Sequence, residues 1–331
     1  MTLRAILAAV LAVLVPVPAL ATPSPEAEAY LMKAIAILRE NHRNSPKVDW
    51  PQVTAVALKL ADAAKTPADT YPAINSVLAA LNERHSFLLG PDGRNVTRPR
   101  PAAANGATPA PPPPQVPEWG IVGRRYGAVR LPGLNTFGDG GEARGQAYRT
   151  TLRTALQTMD KAPLCGWIVD LRPDTGGNMW PMLAGLDPLL GKAPFGFFVS
   201  NGKPPENWQR QAGDMVPAST PAAMLAPAFG LRHENAPVAI LLGPKTASSG
   251  EMTALALIGR DKVRTFGTPS AGFTSANAPF KLSDGAMLVV TVTGVADRTG
   301  REYTGPIEPD ETVADETIEA RAEAWLASQC R

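Results

Sequence analysis

The chain has 331 residues, with 32 Lys and Arg against 30 Asp and Glu, for a net charge of +2. So even a balance, without a basic block, excludes charge-driven binding to nucleic acid. Two cysteines and three histidines leave no structural zinc spacing.

In chain order, residues 1–21 read as an export signal. Arg4 gives a positive start, Ala5 to Val15 form an apolar core, and Ala19-Leu20-Ala21 suits cleavage before Thr22. The core is too short to span a bilayer and Pro16 and Pro18 break it. The mature protein is therefore expected to be periplasmic or secreted, with no stable membrane insertion. Roughly 310 residues remain, which suits one sizeable α/β domain and a small accessory region. In an oxidising compartment Cys165 and Cys330 could pair and tether the C-terminal helix. The alternative is a free thiol at Cys165, which immediately precedes a buried strand.

Residues 22–96 read as a helical region. A helix over 24–41 places Tyr30, Ala34, Ile37 and Leu38 on one face, and two more follow near 52–64 and 71–83, ending at His85-Ser86-Phe87. Residues 97–117 are rich in Pro and Ala and form an extended connector. The domain over 118–331 opens with a strand at 126–131 and a helix at 144–162, where Tyr148, Leu152, Leu156 and Met159 share a face. A buried strand at 166–170 then runs into Leu171-Arg172-Pro173-Asp174-Thr175-Gly176-Gly177, followed by a helix near 179–190. Residues 194–236 carry several prolines and are expected to form a less regular, substrate-facing insertion. Strands alternating with helices imply an α/β fold with a mainly parallel sheet. No dinucleotide or P-loop fingerprint is present.

Val238 to Leu242 reads as a buried strand and Gly250 to Leu257 as a helix, so Lys245-Thr246-Ala247-Ser248-Ser249-Gly250-Glu251 turns a strand-to-helix corner. A serine at such a corner is rigidly held yet exposed, and the next N–H lies at the helix N-terminus, suited to an oxyanion. An acyl-transfer nucleophile needs this arrangement. The plainer alternative is that Thr246, Ser248 and Ser249 only cap the helix. If Ser248 is a nucleophile, the oxyanion donors are the N–H of Ser249 and that of Gly176 or Gly177, where glycine permits close backbone approach. Asp170 and Arg172 suit structural charges that fix this turn.

Downstream come Phe266-Gly267-Thr268-Pro269-Ser270-Ala271-Gly272, the turn Asp284-Gly285 and Ile307-Glu308-Pro309-Asp310. This order of motifs, over residues 120–315, resembles the S41 peptidases. The resemblance implies a crotonase/ClpP-like core of ββα units and a serine peptidase acting on a peptide or protein, with no metal or organic cofactor. In the processing-peptidase branch a lysine activates the serine, but the matching position here is Phe273. In the tricorn-like branch a histidine preceding the core does so, and His85 in Leu81-Asn82-Glu83-Arg84-His85-Ser86-Phe87 matches that segment. His42 is expected to be solvated and His233 to be structural. The tricorn-like pattern assigns the third role to a glutamate, here Glu302, with Ser86 as an alternative partner and Glu308 as part of a structural turn. The roughly 30 residues between Phe87 and Glu118 are too few for a PDZ module. Two other functions stay open: a non-catalytic module binding apolar ligands or peptides, as in retinoid-binding members, and an esterase for small acyl substrates.

Overall fold

The computed structural model describes residues 22–97, 116–211, 214–217 and 229–330. The expected export signal and nearly all of the connector lie outside them. The N-terminal region forms α1 (Pro25–Asn41), α2 (Trp50–Leu60) and α3 (Tyr71–Ala80), leading into β1 (Phe87–Leu89). Ser24 and Asp49 cap the first two helices by accepting the N–H of Ala27 and Gln52. The face expected for α1 is the buried one.

The chain continues through β2 (Glu118–Val122), β3 (Tyr126–Arg130), α4 (Gly141–Met159), β4 (Gly166–Asp170) and α5 (Met179–Leu186). Where irregular structure was expected, three antiparallel strands follow: β5 (Gly196–Val199), β6 (Glu206–Gln211) and β7 (Asp214–Pro217). Prolines between these short strands hide their pattern, and the fully buried Trp208 packing on Phe198 supplies the anchor. Next come β8 (Val238–Leu242), α6 (Ser249–Leu257), β9 (Val263–Gly267), β10 (Ser275–Lys281) and β11 (Met287–Ala296). The chain closes with β12 (Glu302–Tyr303), β13 (Glu311–Thr312) and α7 (Ile318–Gln329).

The strands form two sheets. One has the order β13-β9-β8-β4-β3-β2 and is parallel except for the β2–β3 hairpin. Side chains alternate across it, because successive strand residues point to opposite faces. Trp167, Val169, Val238, Ile240 and Leu242 join a large cluster with α4, α5 and α6. Ile168, Ala239, Leu241 and Phe266 face α7. Both faces are covered, which is why β8 reads as an unbroken apolar run. The Cys165–Cys330 disulfide forms and pins the end of α7 beside β4.

The second sheet is antiparallel and centred on β11, which pairs with β1, β5, β10 and β12. Leu288 and Val290 of β11 share one apolar cluster with Leu31, Leu38, Ile74 and Val77 of the N-terminal helices. Asp284, in the hairpin between β10 and β11, accepts hydrogen bonds from the hydroxyls of Tyr30 (2.8 Å) and Tyr71 (2.6 Å). The helical region is thus fastened to this sheet through both apolar and polar contacts.

Candidate active site

Ser248 sits between β8 and α6 in a conformation that a residue with a Cβ rarely adopts, φ 51° and ψ −112°. Two things hold it there. Thr246 Oγ1 donates to Leu171 O and accepts the Gly243 N–H, closing the turn. Glu251 Oε2 accepts the Ser248 N–H at 2.8 Å, as the last residue of a Ser-x-x-Glu pattern does at a helix start. The other oxygen of Glu251 accepts from Ser270 Oγ (2.5 Å) and the Gly272 N–H (2.7 Å). Burial pushes this carboxyl up, against the hydrogen bonds from Ser270, Gly272, Ser248 and Phe273. One carboxylate therefore ties the serine corner to the loop that carries Phe273.

Besides its place in the capping box, the Ser248 hydroxyl meets His85. His85 Nε2 lies 2.9 Å from Ser248 Oγ, and Nδ1 lies 2.7 Å from Ser275 Oγ. With its proton on Nδ1 the ring donates to Ser275 and accepts from Ser248, the tautomer a general base requires. Phe273 covers the imidazole, with ring centroids 5.2 Å apart. That position holds no lysine, as expected. Backbone bonds fix the loop: Asn277 Nδ2 donates to His85 O at 2.9 Å, and Glu83 accepts the N–H of both His85 and Ser86.

Glu302 does not reach the imidazole. It is exposed on β12 opposite Ala296, two register positions along β11 from the Gly294 that faces Ser275. Ser275 takes the place expected for it. Ser86, the alternative partner, points away and is bonded to Thr291. Glu308 is exposed, and Asp310 of the same turn accepts from the N–H and hydroxyl of Thr265. His233 bonds Asp160 at 2.7 Å. His42 departs from expectation: it is buried, and its Nε2 lies 3.1 Å from Glu83 Oε1.

The glycine turn divides its two N–H groups. Gly176 donates to Asp174 Oδ1 at 3.0 Å and so is turned away from the cleft. Gly177 and Ser249 both line the cleft, and neither N–H has a hydrogen-bond acceptor among the described residues. A Cβ on Gly177, at φ 125°, would stand 1.9 Å from Leu134 O, so only glycine fits. Asp174, beneath this turn, is fully buried, and its Oδ2 has no partner among the described residues. Burial raises its carboxyl to about 8; the Gly176 bond opposes this and the charge of Glu251 adds to it. Asp170 and Arg172 form a two-pronged ion pair beside the turn, at 2.7 and 2.9 Å.

These groups open onto a cleft of about 610 Å³. Phe137, Met179, Trp180, Phe198, Met252 and Phe273 make it largely apolar, while Asn95, Asn178 and Asn277 contribute polar edges. Among the described residues no group of three or more His, Cys, Asp or Glu could hold a metal ion.

The sequence profile of peptidase family S41 matches residues 125–313. The chain belongs to peptidase family S41. It is 27% identical over 316 residues to the nisin-resistance protein of Lactococcus lactis subsp. lactis, covering 94% of this chain and 90% of that one. Among solved structures it is similar to a lipoprotein from Streptococcus agalactiae, with TM-score 0.73, 23% identity and coverage of 92% and 98%. It is similar also to the photosystem II D1 C-terminal processing protease, with TM-score 0.56, 15% identity and coverage of 89% and 94%. Mature CPAF complexed with lactacystin gives TM-score 0.52, 11% identity and coverage of 92% and 97%. At these identities the structures establish a shared α/β fold. The matched range includes the serine corner and the glycine turn, whereas His85 lies before it. Glu83 and Glu251 lie inside the stretches that carry His85 and Ser248 but were given no role by the sequence, and Ser275 lies in none of the quoted motifs.

Proposed function

We propose that this S41 peptidase is an exported serine hydrolase that cleaves peptide bonds through an acyl-enzyme on Ser248. The observation that carries this reading is the 2.9 Å approach of His85 Nε2 to Ser248 Oγ, with the serine raised at the start of α6. His85 takes the serine proton as Oγ attacks the carbonyl carbon. The oxyanion that forms is met by the N–H groups of Ser249 and Gly177, and by the positive end of α6. His85 then passes its proton to the departing amine, and water hydrolyses the ester by the same steps in reverse. Ser275 keeps the ring in the reactive tautomer. Glu302 is proposed only as a more distant member of this end of the sheet.

The apolar cleft suits a substrate with a bulky apolar side chain next to the scissile bond. The lactococcal relative is named for nisin resistance, and the substrate class we extend to this chain from its peptidase family is a peptide or protein. Export is supported by the N-terminal signal pattern, by the disulfide and by the lipoprotein among the similar structures. No described helix is long and apolar enough to cross a membrane. A binding module without catalysis would have no use for an assembled serine–imidazole pair. The test is covalent labelling of the purified protein by a fluorophosphonate, with peptide hydrolysis measured in parallel. Labelling of wild type and its loss in Ser248→Ala are expected; equal labelling of both would eliminate Ser248 as the nucleophile.

A further inference from the structure

We propose that Glu83, braced by His42, is the positioning residue that supplies the negative charge behind the His85 base. This inference rests on His85 being the general base. An imidazole that takes a proton becomes a cation, and in a Ser-His-acid arrangement a carboxylate on Nδ1 both orients the ring and stabilises that cation. Here Nδ1 meets the hydroxyl of Ser275, which orients the ring but carries no charge. Glu302, on the same sheet, is exposed, and its carboxylate is not bonded to the His85 ring. Among the described residues, Glu83 places a carboxylate directly on the histidine loop, bonded to the N–H of His85 itself and to that of Ser86.

The site is constructed to keep Glu83 ionised. Its side chain is only 17% exposed. Burial alone would raise the carboxyl, but the bonds from His42 and Ser86 and from the N–H groups of His85 and Ser86 outweigh it and hold the group at about 2. His42 has no access to solvent at its side chain, and its protonation pattern is fixed by geometry. Its Nδ1 accepts the Asn44 N–H at 2.9 Å, so its ring proton sits on Nε2 and is given to Glu83 at 3.1 Å. A histidine 41 positions before Glu83, at the end of α1, thus adds a side-chain donor to the backbone donors of the carboxylate. The far side of the loop is held with equal care. Asn277 donates to His85 O, and its own oxygen accepts from Thr291, whose N–H is bonded to Ser86 Oγ. The other charged groups around this loop are Arg84, which lines the cleft, Glu251 beneath Ser248, and Arg43, whose guanidinium packs against Gly294, the register partner of Ser275.

This arrangement makes a kinetic prediction that a purely structural brace would not. Glu83→Gln keeps the volume but removes the charge and turns an NH₂ group toward one of two backbone N–H groups. Labelling by a fluorophosphonate at neutral pH should slow by about 10-fold or more. The acid-limb midpoint of the labelling rate should fall by roughly half a pH unit or more, because the imidazolium has lost a nearby anion. Peptide KM should change little while kcat falls. A folded Glu83→Gln variant with wild-type rate and an unmoved midpoint overturns the proposal. His85→Ala measured alongside separates the two levels: if it labels at the wild-type rate, the general-base reading fails first. Independently of how Glu83→Gln folds, ¹⁵N spectra of the wild-type protein report the His42 tautomer. A proton on Nε2 is expected, and one on Nδ1 would break the brace.

Discussion

Ser248 reaches the cleft on a corner whose supports are near in sequence or lie in the same parallel sheet, whereas His85 comes from 163 positions away. The serine corner is braced by Glu251, three residues on, and by Asp174, whose carbonyl accepts the Ala247 N–H. The histidine has one local support, Glu83 two residues before it, and its other supports are distant in sequence. It depends on α1 and α3 packing against β11, on β1 pairing with β11, and on polar bonds from Asn277 and Ser275 of β10. The proposed oxyanion corner is therefore complete within the parallel sheet. The proposed base is in place only while the helical region stays docked, so the proposed nucleophile and base can be lost independently.

The sharpest way to break this comparison is to remove each partner in turn. Ser248→Ala should abolish peptide hydrolysis while leaving the thermal midpoint within a few degrees, since a half-exposed hydroxyl is usually worth no more than about 0.5 kcal/mol. His85→Ala should lower turnover by about 10²-fold or more, with the oxyanion corner intact. If the corner is complete without the base, the residual rate of His85→Ala should exceed that of Ser248→Ala. Equal, background-level rates in both variants would show that the corner does nothing alone.

A smaller effect sharpens the role of Ser275. Its hydroxyl is neutral, and a neutral hydrogen bond contributes about 1 kcal/mol. Ser275→Ala should therefore cost only about 5- to 10-fold in kcat, with KM nearly unchanged, as read by steady-state kinetics. A loss as deep as that of His85→Ala would mean that the ring leaves its reactive tautomer altogether.

The same contrast explains what could be read from the sequence. The serine corner was legible because β8 is an unbroken apolar run and α6 begins at a turn of small residues, all within one short stretch. The face of α4 and the burial of β4 were legible for the same reason, a period that repeats locally. The surroundings of His85 were not. Ser275 begins a strand whose register is set by β11, and no local pattern says that its hydroxyl will meet a ring brought in by the helices. His42 reads as polar and solvated in Glu40-Asn41-His42-Arg43, yet it is buried because its partner Glu83 arrives from the end of a different helix. Strands β5 to β7 were missed because prolines and short lengths mask a sheet that Trp208 anchors from within.

Beneath the corner, Asp174 offers an effect on stability with little on turnover. Its folded value near 8 lies above the ordinary carboxyl range of an unfolded chain, so the native state holds one more proton between about pH 4 and pH 8. The stability this confers is complete at low pH and is lost as pH rises through 8. Asp174→Asn imitates the protonated acid and still accepts the Gly176 N–H. The variant should match wild type near pH 4 and exceed its thermal midpoint by several degrees at pH 8, with turnover at neutral pH changed by no more than about two-fold. Parallel midpoint–pH curves for the two proteins would show that Asp174 is ionised in the fold.

The smallest expected effect belongs to Glu302. It pairs opposite Ala296 on the same side of β11 as Ser275, which faces Gly294, and alternate positions of a strand share a face. It therefore points along the sheet in the same sense as Ser275, without bonding to it. Glu302→Gln should reduce kcat by less than about two-fold, well under the cost expected for Ser275→Ala, because a neutralised exposed carboxylate is screened by solvent. The decisive comparison is the double variant. If Glu302 has no part in the relay, Ser275→Ala should cost the same in either background. If instead Glu302→Gln alone loses as much as Ser275→Ala, and the pair together loses no more, the carboxylate closes onto the Ser275 hydroxyl once substrate is bound. The charge behind the base would then come from β12 rather than from Glu83.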